Sequence, residues 1–520
     1  MEQTLVSMAT QVTNLNPNGI NKDISPYELP DDKWSDGNNI QFDNDRTSKI
    51  KGHKQVFGTP SGAAYWLLPF NTITTDYWIY PSLTKIYRVS TVGATTTHED
   101  VTRTSGGDYS ATAVDRWNGG VLGGVAIINN GVDVPQMMGT SATEFSDLSN
   151  WISGTTKVIR PFKRFLVALN TTESSVNYPF RVRWSHPAEG GTVPVTWDET
   201  DETKDASYVD LSQTNGFVID SLPLGDTNLI YKEDSVWSMT YEGGQSIFAF
   251  RQVFSDSGIL GKDCVKAFDN QHFVVSEDDV YIHNGQTKQS IVDSKMRDEL
   301  FNTIHPDYKT RTFVAANREK NEMLICFPST SSITGLADKA FVWNWRNDSW
   351  SIRDLPQVSF ISWGVVDTVS TTDWAEAGEW DTDNASWDSP LKPSLMMADP
   401  TDSKLYVLGG NQFDGESFRA WVQKSDMLLG YGEVKSVSKI KPRLKGNGSV
   451  DFYIGSEMIP HQGITWKGPY TFTSGVHSEI PVRATGTYIG IRVETENSNS
   501  WALENVEIHW KPQGSRGNGV

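Results

Sequence analysis

Cysteine is almost missing from this 520-residue chain, which has only Cys264 and Cys326. They sit in the apolar stretches GKDCVKAF and MLICFP with no C-x-x-C neighbour. Two buried, unpaired thiols are expected, and a disulfide-stapled secreted scaffold is disfavoured. No apolar run is long enough to cross a bilayer. The first residues, MEQTLVSMATQVTNLNPNG, lack a basic segment followed by an apolar core, so no signal peptide is read. A soluble product made in a reducing cytoplasm, without stable membrane insertion, is expected. Histidine is sparse at 9 and scattered, with no H-x-H, no H-E-x-x-H and no zinc-type spacing. A Walker loop, a G-x-G-x-x-G after a strand and a G-x-S-x-G elbow are all missing. Cations are the minority charge: 45 Lys and Arg against 64 Asp and Glu give a net charge of −19. That excludes a broad grip on nucleic acid, which needs cations to displace counterions. It leaves open a surface past which DNA slides. Long Ala/Leu/Glu/Lys-rich helical tracts are missing too.

Tryptophan (19) and glycine (43) are abundant instead, a mix that favours strands and turns. One pattern recurs, in which an apolar strand, a polar turn and an aliphatic-aromatic strand follow one another. Clear copies are DYWIYPSLTKIYRVS (76–90), NLIYKEDSVWSMTYEGG (228–244), HFVVSEDDVYIHNG (272–285) and LMMADPTDSKLYVLGG (395–410). Looser copies lie at 125–139, 165–185 and 323–350. Their spacing matches propeller blades, in which stacking around an axis covers both faces of each small sheet. An all-β chain is therefore expected, with a β-propeller of six or seven blades over 58–424. Tyr87, Trp237, Tyr281 and Tyr406 hold equivalent places in the repeat and are assigned to packing between blades. One helix is expected in VDSKMRDELFNTI (292–304), capped by Ser294, with Met296, Leu300 and Ile304 along one face.

From about residue 425 the character changes. VKSVSKIKPRLKGNGSVDFYIG reads as two strands about a Gly446-Asn447-Gly448 turn, and TYIGIRVET and NVEIHW add more. Residues 425–520 are expected to form a β-sandwich with Trp501 and Trp510 in its core. Residues 1–57 read as a core-poor docking arm with one hairpin, NNIQF-DND-RTSKIKG.

Three features invite a chemical reading. In DWAEAGEWDTDNASWDSP, within an insertion at 371–390, Trp374, Trp380 and Trp387 recur among carboxylates. Asp381, Asp383, Asn384 and Asp388 offer oxygen ligands, but an EF-hand fails because its fifth, sixth and twelfth places hold Ala385, Ser386 and Lys392. A different calcium loop over 381–388 stays open; the bland reading is exposed turn carboxylates, with the three Trp gripping a blade or a neighbouring subunit. The acidic clusters DETDETKD and SEDD are read as solvated turns. The aspartate-box repeat of sialidase propellers is missing, and no catalytic residue, metal ligand or cofactor is assigned. In KSVSKIKPRLKG, Lys439, Lys441, Arg443 and Lys445 alternate with Ile440, Pro442 and Leu444, which places four cations on one strand face. A solvated face is the plain reading; the sharper one is contact with an acidic neighbouring subunit or DNA phosphates.

Four segments resemble the tail nozzle, or packaged-DNA stabilisation, proteins of short-tailed bacteriophages. They are NLNPNGINKDISPYELPDDKWSDGNNIQF with SKIKGHKQVFG; PFRVRWSHPAEG; GFVIDSLPLGDTNLIYKEDSVWSMTYEGG; and ATGTYIGIRVETENSNSWALENVEIHWKPQG. The resemblance implies a non-enzymatic virion tail component assembled in the host cytoplasm. It implies a hexameric ring of this chain beneath the portal and adaptor (head-to-tail connector), beside tail fibre or needle proteins. Such a ring continues the channel for double-stranded DNA, retains the genome and opens on ejection. Two rival readings are a receptor-binding tail protein that stacks Trp on surface glycans and a propeller glycosidase.

Overall fold

In the computed structural model the described residues are 10–15, 18–43, 45–72, 76–92, 95–152, 154–244, 246–366, 393–430, 433–446, 448–459 and 463–513. The chain is all-β, and among the described residues its strands gather into seven four-stranded antiparallel sheets and two larger ones. The small sheets are the blades of a propeller. Blades 1 to 6 run consecutively, from the strands Leu68–Asn71 (blade 1), Asn118–Leu122 (blade 2), Gly154–Phe162 (blade 3), Val218–Leu224 (blade 4), Val265–Phe268 (blade 5) and Phe313–Asn317 (blade 6). Those first strands touch one another in sequence from blade 2 to blade 6, and the chain of contacts returns to blade 1 through Phe360–Val365 of blade 7.

Blade 7 closes the circle with a strand from far away. Its first three strands are Phe360–Val365, Pro393–Asp399 and Lys404–Leu408, and its fourth is His53–Gln55. Tyr406 pairs with Gln55, Val407 with Lys54 and Leu408 with His53. The entry to the closing strand is tight: a Cβ on Gly52 would meet the Gln412 carbonyl oxygen at 1.8 Å, so only glycine fits.

Burial explains why the repeat reads as it does. Second strands are covered on both faces by neighbouring blades and are nearly continuous apolar runs, as in Val125–Asn129, where every residue is buried. Outer strands have an edge in solvent and are polar, as in Thr95–Asp100 with the sequence TTTHED. Cys264 and Cys326 are both buried and unpaired.

The two larger sheets face each other as a sandwich. One has the order Ile40–Asp43, Arg46–Lys49, Trp501–Pro512, Lys435–Gly446 and Ile480–Gly486, with Gln11–Leu15 also paired to Trp501–Pro512. The other has the order Asp36–Asn38, Ala420–Met427, Tyr488–Thr495, Ser449–Glu457 and Thr465–Thr473. Alternation directs Val437, Ile440, Val506 and Ile508 of the first inward against Val422, Phe452, Ile491 and Val493 of the second, all of them buried. Trp501 and Trp510 lie in this core and donate to Thr495 Oγ1 and Thr13 Oγ1 at 2.9 and 3.1 Å.

Three expectations change here. The first is the arm. The expected hairpin exists, as Ile40–Asp43 with Arg46–Lys49, but residues 10–55 are not a core-poor appendage. They supply four strands to the sandwich and one to the propeller, and they bury Leu15, Ile20, Trp34, Ile40 and Phe42. The second is the turn at 446–448. Lys435–Gly446 and Ser449–Glu457 belong to different sheets, so the two strands do not pair as a hairpin. Gly446, at φ +125°, would place a Cβ 2.4 Å from the Ser500 carbonyl oxygen. The third is the helix, which spans Arg297–Thr303 and is not capped by Ser294. Asp23 of the arm does that work, accepting from the Arg297 and Asp298 amides at 2.6 and 3.2 Å. Lys22 reinforces the contact through Glu299 at 2.6 Å. Met296, Leu300 and Ile304 are buried along one face as their spacing requires. Among the described residues no helix is long and apolar enough to cross a membrane.

Candidate functional site: the sandwich face and the propeller axis

The cationic stripe lies on the outer face of the first sandwich sheet. On Lys435–Gly446 the buried positions Val437, Ile440 and Pro442 alternate with the outward Lys439, Lys441 and Arg443, and Lys445 follows at the exposed end. Carboxylates of the same chain meet all four. Lys439 and Lys441 share Glu479 at 2.9 and 3.7 Å, Arg443 meets Glu507 at 3.1 Å and Lys445 meets Glu504 at 2.8 Å. The bonds from Lys439 and Lys445 hold the Glu479 and Glu504 carboxyls below their ordinary range. Arg46 also reaches Glu504, at 3.0 Å, and Arg483 and Lys511 are exposed on the neighbouring strands. The face stays net positive, with seven cations against Glu479, Glu504, Glu507 and Asp43, which lies directly opposite Arg46.

The four repeat aromatics sit on the third strands of blades 1, 4, 5 and 7. Three of them meet the connection that brings the chain into their blade. The Tyr87 ring leaves no room for a side chain at Gly62, Trp237 Nε1 donates to Thr214 Oγ1 at 3.3 Å, and Tyr281 Oη donates to the Gly258 carbonyl at 3.0 Å. Tyr406 packs edge-on against His53 of the closing strand, with ring centres 4.8 Å apart. Trp374, Trp380, Trp387 and the 381–388 loop lie outside the described residues.

A further cluster, not read from the sequence, fills the propeller axis. Arg160, on the first strand of blade 3, donates twice to Asp220 of blade 4, both at 2.8 Å, and once to Asp263 of blade 5 at 2.9 Å. The Asp263 amide in turn donates to Asp220 Oδ2 at 2.8 Å. Arg116, entering blade 2, donates to the carbonyls of Lys262 and Thr312 at 2.9 and 3.0 Å. Burial pushes the Asp263 carboxyl up, but Arg160, Lys266 and Arg116 outweigh it and hold it at about 2. Burial and the Arg116 charge bring Lys262 down to about 8. Beyond the ions, Phe360 of blade 7 lies 5.5 Å from Phe313 and 5.8 Å from Trp66, ring centre to ring centre. Lys266 Nζ reaches across from blade 5 to 5.9 Å from the Phe360 ring. Side chains on or just before the first strand of every blade thus converge toward the axis. The signal available in the sequence was a charge inside an apolar first strand, as in VIRPF and FVIDSL.

A second buried polar cluster joins blades 4 and 5, where Tyr231 Oη lies 2.6 Å from His272 Nδ1 and 2.8 Å from His283 Nε2. Burial lowers these imidazoles to about 4 and about 3, so both are neutral at physiological pH. Among the described residues no group of three or more His, Cys, Asp or Glu is placed to hold a metal ion.

No family model matches the chain, and no curated protein is similar to it. Among solved structures it is similar to the computationally designed Ika8 protein, at 10% identity and TM-score 0.37, over 68% of this chain and 99% of that one. It is also similar to BamB from Moraxella catarrhalis, at 8% identity and TM-score 0.36, over 76% of this chain and 97% of that one.

Proposed function

We propose that the chain is a structural subunit of a phage tail nozzle, a closed ring of identical copies, six by the family resemblance, beneath the connector. Fibre or needle proteins attach to this ring, and packaged DNA is held back by it and later released through it. The observation that carries the reading is the net positive sandwich face on a chain of net charge −19. A basic patch on one copy and an acidic surface on the next form a heterologous contact, which closes into a ring when the rotation permits. The fused architecture supports the same reading, because the arm ties propeller and sandwich into one body able to bear load. With charged and aromatic side chains converging on the propeller axis, the DNA passage runs between subunits and not through a blade ring. An acidic wall there offers phosphates little adhesion, which suits a conduit.

The test is imaging of purified protein mixed with its connector, beside the double variant Lys441→Glu, Arg443→Glu. Wild type forms rings that retain DNA in filled heads; the variant stays folded but forms neither rings nor a DNA seal. Rings and retention unchanged in the variant would overturn the reading. Turnover of host polysaccharide by the wild-type protein would replace it with the glycosidase.

A further inference from the structure

Four large apolar side chains that remain open to solvent gather at one end of the sandwich. Tyr27, Leu428, Met458 and Ile459 are 37–55% exposed. Strand register explains the gathering. Met427 lies opposite Ile489 and Glu457 opposite Tyr488, so Leu428 and Met458 leave the ends of the two strands that flank Tyr488. The Tyr27 ring of the arm meets that tyrosine edge-on, with centres 5.5 Å apart. A contiguous exposed apolar cluster with a polar rim marks a docking surface.

The rim here is acidic. Glu28 adjoins Tyr27, Asp426 precedes Met427, and Glu433 stands between Leu428 and the start of the next strand at Lys435. None of these three carboxylates forms an ion pair among the described residues. Asp31 and Asp32 follow Tyr27 closely and are exposed. Nearby cations are committed to backbone: Lys424 Nζ donates to the Pro30 and Lys33 carbonyls at 2.5 and 2.8 Å, Lys435 Nζ to the Thr487 carbonyl at 3.1 Å, and Lys33 Nζ to the Asn18 carbonyl at 2.9 Å. The propeller's acidic clusters are more fully engaged at home. Glu199 is held by Arg183 at 2.7 Å and Glu277 by Lys309, while Asp198 and Asp201 accept from the Thr200 and Thr203 hydroxyls at 2.7 and 2.6 Å.

The cationic face supplies the counterpart, because it carries exposed apolar groups of its own. Val12 is exposed opposite His509, whose other neighbour is Lys439. Val476 is exposed in a turn tied to the stripe, where Ser474 Oγ donates to the Leu444 carbonyl at 3.2 Å.

We infer that the acidic-rimmed apolar end of one sandwich docks on the cationic face of the sandwich in the next copy. The inference rests on the ring reading above and names its two contacting surfaces. End and face are different patches, so the contact is heterologous. Each docked copy still offers one of them to a further copy until the circle closes.

The experiment follows self-association of the full chain by sedimentation, alone and mixed with the connector. Reversal of the end (Glu28→Lys, Asp31→Lys, Glu433→Lys) and of the face (Lys441→Glu, Arg443→Glu) should each weaken association at least about hundredfold, since like charges then oppose each other. A chain carrying both reversals should associate again, because the two patches are complementary with their signs exchanged. Leu428→Ser with Ile459→Ser should weaken association about tenfold through lost apolar burial. Should a variant unfold, carbodiimide cross-linking of wild-type rings built from isotope-mixed chains takes its place; zero-length links between Lys441 or Lys445 of one copy and Glu28, Asp31 or Glu433 of another are expected. Rings lost on face reversal but untouched by end reversal overturn this inference and leave the ring reading standing. Rings untouched by both reversals, or a wild-type chain that stays monomeric with the connector, overturn both. Links from the end carboxylates to connector lysines assign the end to the connector and also overturn the inference.

Discussion

Replacing Arg160 by Met tests whether the axial ions hold the propeller together. The substitution keeps side-chain bulk but removes three charge-assisted hydrogen bonds, two to Asp220 and one to Asp263. Asp220 is 1% and Asp263 4% exposed, so neither carboxylate regains water. Breaking a buried pair by removing one partner costs about 3–5 kcal/mol. Arg116, 3.9 Å from Asp263, remains, which places the expected loss near the lower end, about 3 kcal/mol. Adding Asp220→Asn removes one stranded charge and should return about 1–2 kcal/mol, the coupling expected of groups in one network. The effect also depends on pH. The folded Asp263 carboxyl is held at about 2, below an unfolded value of roughly 3.9. Its stabilisation is therefore present above roughly pH 4 and is lost as pH falls toward the folded value. The gap between wild type and variant should narrow in acid. Urea unfolding followed by Trp fluorescence, at neutral pH and near pH 3, measures it. A loss under about 1 kcal/mol at neutral pH, or a gap that widens in acid, would refute the argument.

Other outcomes follow from the same geometry. His272 and His283 sit at about 4 and about 3 because they are buried. Unfolded chains bind their protons near pH 6.5, so this stability is complete above about 6.5 and drains as pH falls toward the folded values; proteolysis across that window should show an acid-sensitised blade 4–5 junction. Tyr231→Phe leaves one ring nitrogen of each imidazole without its partner and should cost about 1–3 kcal/mol by urea midpoint. Trp34→Ala empties a fully buried site and removes the hydrogen bond that Trp34 Nε1 donates to Thr47 Oγ1; a loss of about 3–5 kcal/mol is expected. A chain started after residue 57 lacks the closing strand and four sandwich strands, and should aggregate on expression; a soluble, monomeric product would contradict the threading described above.

The propeller was legible because short continuous apolar runs such as HFVV and LMMA, bounded by polar turns, are imposed by burial between blades. The ring-closing strand was not, since HKQ is three residues long and polar, and its pairing is set by the ring. Alternation from Lys439 to Lys445 correctly divided inside from outside, yet alternation cannot name a strand's partner, so Glu479, Glu504 and Glu507 stayed hidden. The arm looked core-poor because Ile20, Trp34 and Phe42 are spread thinly among polar residues, and each is buried by remote chain. The axial cluster joins residues 43 to 196 positions apart, a separation at which no local spacing rule operates.

The position of Trp501–Pro512 has a consequence for synthesis. This strand lies between Arg46–Lys49 and Lys435–Gly446 and also pairs with Gln11–Leu15, so residues made first wait for residues made hundreds of positions later. On the ribosome, blades 1 to 6 emerge as stacked wedges of an open circle while the sandwich still lacks seven of its eleven strands. Contacts that distant are slow to form. Aborted chains therefore offer raw sheet edges to chaperones and proteases, whereas a finished chain seals both modules in one late event.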